Sequence, residues 1–325
     1  MLIGGTLAAV LAFTGAGALW AQSQQAPVFR VKVDLVVLSV TVTNRQGRYV
    51  TGLKASDFRV LEDGIMQKIA YFGEGNQAPI ALEEGRLAGA GGGPGGTGID
   101  LASDTFVGTN VFILFDTSNF MYRGFVYAED AIADFVRGLD RADSIAVYTF
   151  SRNLKREAPL TRDRLMAIRG LRQAVAGDDT ALYNALLLTL RDAARVPGRK
   201  VVIIFSNGPD NASMLAPDDV RAVAEDEGIP IYVISTSEVN KDPISGNVFR
   251  RITARTGGKA FFAKTWQKQN EAFFSIREEL RHAYTVTYYP QANPNEGWRS
   301  ITVDLPGDTA RKYRVRTRSG YRPKL

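Results

Sequence analysis

The 325-residue sequence contains no cysteine and only one histidine, His282. The lack of cysteine excludes disulfide bonds, cysteine-ligated zinc and a cysteine nucleophile. A single histidine excludes metal sites that need two or three histidine ligands from one chain. Strong charge is lacking as well, since the formal net charge is only +6 and the pI is near 9.4. This excess is too small for a dedicated nucleic-acid-binding protein, so no nucleic-acid partner is expected.

Sequence signatures of several enzyme classes are also missing. There is no Gly-x-x-x-x-Gly-Lys phosphate loop and no Gly-x-Ser-x-Gly turn that would present a nucleophilic serine. The glycines around Gly91 do not follow a strand, so they cannot cradle a phosphate as a dinucleotide-binding turn does. A phosphoaspartyl phosphatase would carry a second acid two residues after Asp116, where Ser118 stands. His282 falls at a predicted helix–strand junction and is interpreted as structural. We therefore predict that the protein is not an enzyme.

The N-terminal segment predicts export. Residues 2–20 are almost wholly apolar or small, and a polar run follows the small residue Ala21. This pattern is typical of a secretory signal peptide over residues 1–21, although no Lys or Arg precedes the apolar run. We expect a secreted, periplasmic or cell-envelope protein. Retention of the segment as a membrane anchor is the alternative, because its length approaches that of a membrane span.

The remaining chain divides into four regions. Residues 27–75 show short strand patterns with tight turns, and residues 76–106 form a glycine-rich linker. Residues 107–282 alternate between apolar strands and amphipathic helices, which predicts a doubly wound, mainly parallel sheet. Residues 283–325 return to strand patterns. We expect the two flanking regions to pack together as a small β-sandwich. The helices are predicted over residues 127–139, 163–175, 180–194, 217–227, 249–256 and 267–283.

Three polar segments are expected at one edge of the parallel sheet. Residues 116–120 follow the first apolar strand, residues 177–180 precede a long helix, and residues 206–211 follow another apolar strand. Ligands of open parallel sheets bind beyond the carboxyl ends of the strands, where these segments meet. A carboxylate combined with hydroxyl groups is an oxygen-ligand set suited to Mg²⁺ or Mn²⁺. The sequence therefore suggests a cation-dependent binding site at this edge.

The chain resembles the von Willebrand factor A-type domains over residues 107–282. The resemblance rests on an ordered set of features: an apolar strand, Asp-x-Ser, an amphipathic helix, a threonine before a long helix, and a strand ending in Ser-x-Gly. The flanking residues 42–53, 57–64 and 318–321 look like those of the exported A-domain-related proteins of acidobacteria. The resemblance implies a Rossmann-like domain that serves as a protein-binding or adhesion module.

The resemblance also implies a metal-ion-dependent adhesion site, which in this family uses Asp-x-Ser-x-Ser, a threonine and a later aspartate. Asp116, Ser118 and Thr180 match three of these positions. Phe120 replaces the second serine and Asn207 replaces the later aspartate, so the site is degenerate. The implied metal ligands are Asp116, Ser118, Thr180 and Asn207, with Mg²⁺ or Mn²⁺ as the ion and a protein or other macromolecule as the partner. Three further residues are candidates to compensate for the missing ligands: Asn119, Asp179 and Asp210.

An alternative function is a scaffold or assembly protein that binds no metal. It would interact through the β-sandwich and through a basic strand near the C-terminus. Strict alternation places the basic residues of that strand on one face, from which they would attract anionic partners or simply be solvated. The apolar residues 120–122 are a further candidate contact beside the metal site. The basic residues are Lys312, Arg314, Arg316 and Arg318.

Overall fold

The computed structural model describes residues 35–82, 107–237, 242–307 and 312–323, without the side chains of residues 122–124. The predicted signal peptide at 1–21 and residues 83–106 of the predicted linker lie outside the described residues. Within the described part of the chain, no helix combines the length and the apolar composition needed to cross a bilayer.

The described elements follow the predicted order of β flank, α/β region and β flank. The N-terminal flank contains β1 (Val36–Asn44), β2 (Arg59–Glu62), β3 (Ile65–Gln67), β4 (Ile69–Glu74) and β5 (Ile80–Ala81). The α/β region contains β6 (Thr109–Asp116), α1 (Phe125–Arg137), β7 (Ser144–Phe150), β8 (Leu154–Thr161), α2 (Arg164–Leu171), α3 (Leu182–Ala194), β9 (Arg199–Ser206), α4 (Pro217–Asp226), β10 (Ile231–Ser235), α5 (Pro243–Thr256), β11 (Ala260–Phe262) and α6 (Trp266–His282). The C-terminal flank contains β12 (Tyr284–Tyr288), β13 (Arg299–Asp304), β14 (Tyr313–Arg316) and β15 (Gly320–Tyr321).

The central sheet has six strands in the order β11-β10-β9-β6-β7-β8, and all neighbours are parallel except β7 and β8. Strand β6 lies inside the sheet and is buried on both faces, as its continuous apolar run predicts. Val111, Ile113 and Phe115 pack with α1 and α6, whereas Phe112 and Leu114 pack with α3, α4 and α5 on the other face. The predicted doubly wound α/β fold is confirmed.

Strand β8 and the start of α5 differ from the predictions. Strand β8 escaped prediction because charged residues and Pro159 interrupt its apolar pattern, which an edge strand tolerates. Helix α5 begins at Pro243 rather than at 249. The Asp242 carboxylate accepts a hydrogen bond from the Ser245 backbone N–H at 3.0 Å, and a proline follows this N-cap. Strand β5 pairs with β4 within what was predicted as linker, so the N-terminal flank extends beyond residue 75.

The two flanks form two antiparallel sheets with a shared core. One sheet has the order β14-β1-β12-β4-β5 and the other has the order β15-β13-β2-β3, so both sheets combine strands from the two ends of the described chain. Their buried side chains include Leu38 and Val40 of β1, Val60 of β2 and Tyr288 of β12. The predicted β-sandwich is therefore part of the observed fold.

The prediction that the four basic residues near the C-terminus share one exposed face is wrong for two of them. Arg316 forms an ion pair with the buried carboxylate of Glu279. Arg318 is only 7% exposed, and its guanidinium donates to the carbonyl oxygen of Glu225 at 2.7 Å, near the C-terminus of α4. Helix C-termini attract cations, and their last carbonyls need donors, which explains the burial of Arg318. Only Lys312 and Arg314 remain exposed.

Glu279 of α6 connects the α/β region to the flanks. Its side chain is 2% exposed and accepts hydrogen bonds from Thr41 Oγ1 of β1 at 3.1 Å and from the Tyr232 hydroxyl of β10 at 2.5 Å, besides its ion pair with Arg316. A buried carboxylate with three partners from separate strands fixes those strands relative to the helix.

His282, one turn after Glu278, stacks on Tyr49 with ring centroids 5.6 Å apart. This contact gives the only histidine a structural role between the two regions.

Candidate functional site

Asp116 ends β6 at the carboxyl edge of the sheet and is fully buried. One carboxylate oxygen accepts a hydrogen bond from the Ser118 backbone N–H at 2.9 Å, and the other accepts one from the Ser206 hydroxyl at 2.6 Å. Burial raises the pKa of Asp116; the bonds from Ser206 and Ser118 oppose this rise, and the nearby carboxylate of Asp210 adds to it. A nearby cation stabilises the ionised form of a carboxylate that is buried in this way.

Three buried oxygen atoms at the same edge have no hydrogen-bond partner among the described residues. They are the hydroxyls of Ser118 and Thr180 and the side-chain carbonyl oxygen of Asn207. Leaving a buried polar group unpaired costs about 1–3 kcal/mol, so such groups are rare and need an explanation. Together with Asp116, these atoms belong to the four residues that the sequence suggested as metal ligands. The Ser118 hydroxyl lies close enough to the Asp116 carboxylate to lower its pKa, and a cation in contact with all three oxygens would give each of them a partner.

Backbone hydrogen bonds tie the three segments together. The Gly177 N–H donates to the Thr117 carbonyl oxygen at 2.8 Å, and the Asn119 N–H donates to the Asp178 carbonyl oxygen at 3.0 Å. The Thr180 carbonyl oxygen accepts hydrogen bonds from the backbone N–H of Asn211, at 3.1 Å, and from that of Ala212, directly after the third segment, at 3.0 Å. The structure therefore joins the segments that follow β6, precede α3 and follow β9. It brings together the loops that carry every predicted site residue.

Phe120 and Asn207, the two residues that depart from the family pattern, contact each other. The side-chain amide of Asn207 donates to the backbone carbonyl oxygen of Phe120 at 2.8 Å. The Phe120 side chain is 45% exposed, so it points out of the domain core rather than supplying a ligand. Asn207 therefore holds the loop after β6 with its nitrogen and leaves its oxygen unpaired. An aspartate at this position would lack the donor and would repel the carbonyl oxygen of Phe120.

Asp179 and Asp210, the two acidic candidates to replace the missing metal ligands, bond to other residues of the domain. Asp210 accepts hydrogen bonds from the backbone N–H groups of Tyr183 at 3.0 Å and Ser213 at 2.8 Å. It thereby caps α3, whose N-cap residue is an alanine without a side-chain cap. Asp179 pairs with Arg152 at 3.1 Å. Asp210 still acts on the site through its charge, because it raises the pKa of Asp116. Asn119 is exposed.

Ser206 is a site residue that the sequence did not single out. Its hydroxyl donates to Asp116 and accepts a hydrogen bond from the Gly208 N–H at 3.1 Å, which fixes the orientation of the carboxylate. The pairing of Phe115 with Phe205 in neighbouring strands places Asp116 beside Ser206. The Ser-x-Gly pattern marked the segment, but the sequence does not show that β9 lies next to β6.

The oxygen atoms of these residues fit a hard cation that needs little negative charge from the protein. Among the described residues, no group of three or more His, Cys, Asp or Glu side chains is placed to hold a metal. The site instead offers one carboxylate, two hydroxyls and one amide oxygen, from Asp116, Ser118, Thr180 and Asn207. Oxygen ligands of this kind suit Mg²⁺ and Mn²⁺. The residues present therefore fit such an ion, with less negative charge than the full family pattern supplies.

The substitution Asn207→Asp tests this charge deficit. We expect the variant to bind Mg²⁺ at least about tenfold more tightly, because a second carboxylate adds attraction worth more than about 1.4 kcal/mol. In EDTA the same variant should be less stable than the parent, because it loses the bond to Phe120. Calorimetric titration with Mg²⁺ and thermal melts in EDTA measure both effects. Asn110→Asp serves as the control, because the Asn110 side-chain amide also donates to a backbone carbonyl oxygen, that of Pro197 at 3.0 Å, but lies at the opposite edge of the sheet. Unchanged Mg²⁺ affinity in the Asn207→Asp variant would remove Asn207 from the site.

The open, mainly parallel sheet and its oxygen-lined carboxyl edge define a doubly wound α/β binding domain. Residues 110–275, just over half of the chain, match the family model of the von Willebrand factor type A domain. The chain belongs to this family.

Curated relatives were found in rhizobia. The chain is 28% identical over 210 residues to a protein named dihydroorotate dehydrogenase (quinone) from Rhizobium leguminosarum bv. trifolii, covering 64% of this chain and 48% of that protein. A protein of the same name from Rhizobium johnstonii is 26% identical over the same share of each chain. The chain thus spans about half the length of the curated relatives it matches.

Solved structures with a similar fold include BatB from Bacteroides thetaiotaomicron, at 19% identity and a TM-score of 0.45, covering 53% of this chain and 97% of that chain. The vWF domain of the type V pili tip protein Mfa5 from Porphyromonas gingivalis is 12% identical with a TM-score of 0.46, covering 53% of this chain and 95% of that chain. These similarities concern the fold alone.

Proposed function

We propose that the chain is an exported binding module that holds Mg²⁺ or Mn²⁺ at Asp116, Ser118, Thr180 and Asn207 and engages another protein through that ion. The observation that carries the proposal is the set of three unpaired, buried oxygen atoms beside a buried carboxylate. Eight other buried side-chain atoms of the described residues are unpaired as well, so the support comes from the position of these three on the loops around Asp116. Membership of the von Willebrand factor type A family supports the same function.

Each residue has a distinct task in this proposal. Asp116 supplies the negative charge, and its orientation is fixed by Ser206 and by the Ser118 backbone N–H. The hydroxyls of Ser118 and Thr180 are neutral ligands that need no proton loss. A bound divalent cation would keep a net positive charge here, which lets it capture a carboxylate from a partner.

We further propose that the module does not catalyse a reaction. The single histidine, His282, is stacked on Tyr49 at the end of α6 and lies away from Asp116 in the chain. The activity in the names of the rhizobial relatives belongs to those proteins, and the similarity covers about half of their length. Oxidation of dihydroorotate with a quinone acceptor is therefore the assay to include, and we expect no turnover above background.

Export is the part of the proposal that rests on the sequence. The apolar segment at residues 2–20 supports secretion or placement in the cell envelope. Either location would present the candidate site to partners outside the cytoplasm. The scaffold alternative has lost part of its support, because Arg316 and Arg318 bond within the fold instead of forming an exposed basic face.

The unpaired hydroxyl of Thr180 gives a matched pair of test variants. Thr180 and Thr285 are both buried and both carry a hydroxyl without a partner among the described residues, but Thr285 lies in β12, outside the candidate site. Thr180→Val and Thr285→Val should each leave the metal-free protein as stable as the parent or slightly more so, because each removes an unsatisfied polar group. Only Thr180→Val should weaken the rise in melting temperature caused by Mg²⁺.

The thermal-shift measurement compares EDTA, Mg²⁺ and Mn²⁺ for the parent and both variants. Equal Mg²⁺ responses in Thr180→Val and Thr285→Val would remove Thr180 from the proposed site. A parent protein whose melting temperature does not respond to either ion would contradict the metal-dependent function as a whole.

A further inference from the structure

The excess positive charge of the chain is concentrated in one short segment. Residues 151–172 contain seven Lys and Arg and two Asp and Glu, which gives a net charge of +5, whereas the whole chain has a net charge of +6. The segment contains β8 and α2, at the last strand of the central sheet. The bonds of Glu279 and Arg318 join the flanks to β10, α4 and α6, so β8 and α2 lie on the side away from the flanks.

Five of the seven basic side chains are already engaged within the domain. Arg164 donates to a backbone carbonyl oxygen at 2.9 Å, and Arg156 lies beside the Tyr148 hydroxyl. The other two, Arg162 and Arg169, are exposed and pair with no carboxylate of the described residues. Three of the engaged side chains form ion pairs at 2.9–3.1 Å: Arg152 with Asp179, Lys155 with Glu157 and Arg172 with Glu129.

Arg169 shares one face of α2 with two exposed apolar side chains. Leu165 is 70% exposed and Met166 is 41% exposed. They precede Arg169 by four and three residues, so all three side chains are neighbours on the helix surface. The Arg169 Nε–H donates to the Leu165 carbonyl oxygen at 3.4 Å, which holds the guanidinium against the same turn.

Arg162 extends this face at the turn before α2. Its neighbour Asp163 is the N-cap residue, whose carboxylate accepts hydrogen bonds from the backbone N–H groups of Leu165 at 2.9 Å and Met166 at 3.1 Å. Asp163 is the one acid among residues 158–177, and it directs its carboxylate to the helix N-terminus. We call Arg162, Leu165, Met166 and Arg169 the basic face of α2.

Packing of the opposite face keeps the basic face turned outward. Ala167 and Leu171 are buried in the same core cluster as Ala158 of β8. Gly170 approaches β8 so closely that a Cβ at this position would clash with the Glu157 carbonyl oxygen. The helix therefore cannot rotate to bury its two exposed apolar side chains within the domain.

We infer that the basic face of α2 binds the surface of an anionic lipid bilayer, with its arginines at the headgroup phosphates and Leu165 and Met166 in the apolar layer beneath. Basic side chains beside exposed apolar ones are typical of helices that lie in a membrane interface. A soluble polyanion would pair with the arginines but leave both apolar side chains in water, whereas a bilayer accommodates all four. This surface is separate from the proposed ion site.

A fluorescent label at one position tests the inference with the full chain, which has no cysteine of its own. Met166→Cys carries a polarity-sensitive nitrobenzoxadiazole label on the basic face, and Met66→Cys carries it on β3, where Met66 is 57% exposed. In EDTA and low salt, phosphatidylglycerol vesicles should shift the emission of the label at 166 to the blue. Phosphatidylcholine vesicles should not, and the label at 66 should respond to neither.

Removal of the two arginine charges should weaken this contact. Arg162→Gln combined with Arg169→Gln, in the labelled Met166→Cys protein, should raise the phosphatidylglycerol concentration at half-maximal signal roughly thirtyfold, because each basic side chain near an anionic surface contributes about fivefold. Arg48→Gln combined with Lys68→Gln removes the same charge from exposed positions of the flanks. This control should change the half-maximal concentration by less than about twofold, because salt screens distant charges.

Removal of one apolar side chain should also weaken the contact. Leu165→Ser in the labelled protein should raise the half-maximal lipid concentration about tenfold, since burial of a leucine side chain contributes that much affinity. Ile80→Ser is the matched control, because Ile80 is 69% exposed on β5 of the flanks. It should leave the half-maximal concentration unchanged.

Three results would overturn the inference. The first is unchanged emission at 166 with phosphatidylglycerol vesicles, even where the apolar residues 2–20 attach the protein to them. The second is an equal signal with phosphatidylcholine, or a signal that the double arginine substitution does not weaken. The third is an equally large response to soluble dextran sulfate, which would assign the arginines to a polyanion without a bilayer. None of these results bears on the thermal response to Mg²⁺, which tests the proposed function.

Discussion

Replacing Asp116 with asparagine is expected to abolish the stabilisation of the protein by Mg²⁺. A ligand at one hundred times its Kd stabilises a folded protein by about 2.7 kcal/mol, so the loss is large and easily measured. Asparagine keeps an acceptor for the Ser118 N–H, and its amide nitrogen can donate to the Ser206 hydroxyl oxygen. It removes the one charge among the proposed ligands. Thermal melts with and without Mg²⁺ measure the effect.

The same variant should melt at a higher temperature than the parent in EDTA at neutral pH. Burial raises the pKa of Asp116 above its ordinary value of 3.8, so the folded state binds the proton more tightly than the unfolded state does. This contribution favours folding below the unfolded-state pKa and is lost as the pH rises through the folded-state pKa. At pH 7 the ionised group is destabilising, and asparagine relieves it. A gain of about 1 kcal/mol raises the melting temperature by roughly 2–4 °C.

Asp143→Asn is the matched control for Asp116→Asn. Asp143 is also buried with a raised pKa, but it lies before β7 at the opposite edge, where it accepts a hydrogen bond from the Thr109 N–H at 2.9 Å. The control should retain the Mg²⁺ response whatever its own stability. Retention of the response in Asp116→Asn, or its loss in both variants, would show that the ion acts elsewhere.

Replacing Glu279 with glutamine is expected to lower the free energy of unfolding by about 3–5 kcal/mol. Glutamine leaves the partly buried guanidinium of Arg316 without its ion-pair partner, and it disturbs the hydrogen bonds from Thr41 and Tyr232. Removing one member of a buried pair costs this much because the other charge stays out of water. Urea unfolding followed by circular dichroism gives the free energy directly.

Glu278→Gln is the control for this second prediction. Glu278 pairs with Arg281 at 3.1 Å near the surface, so its loss should cost less than about 1 kcal/mol. Changing Glu279 and Arg316 together to leucine should recover only part of the loss. Apolar side chains can replace a buried ion pair, but the hydroxyls of Thr41 and Tyr232 lose their acceptor. A Glu279→Gln variant no less stable than Glu278→Gln would mean that this carboxylate does not tie the flanks to the α/β region.

The fold was predictable because its strongest signals are local. The short apolar runs of β6 and β9 are typical of buried strands, and the amphipathic helices between them need a sheet to cover. The basic strand shows the limit of such patterns. Alternation correctly groups Arg316 with Arg318, but it cannot reveal that Glu279 and the end of α4 cover that face.

The part of the candidate site that follows from the order of strands and helices along the chain could be predicted, and the rest could not. The rule that parallel strands end at one edge brings Asp116, Thr180 and Asn207 together without any coordinates. The role of Ser206 depends on which strand neighbours β6, and the bond from Asn207 to Phe120 depends on loop geometry. Both are tertiary facts that no local pattern encodes.

Diffraction from crystals of the full chain soaked in Mn²⁺ tests the central claim most directly. We predict one anomalous peak within ligand distance of Asp116, with the hydroxyls of Ser118 and Thr180 among its ligands. The same peak should be absent from Asp116→Asn crystals. A water molecule bonded to the three unpaired oxygens, with no anomalous signal in the parent, would contradict the account.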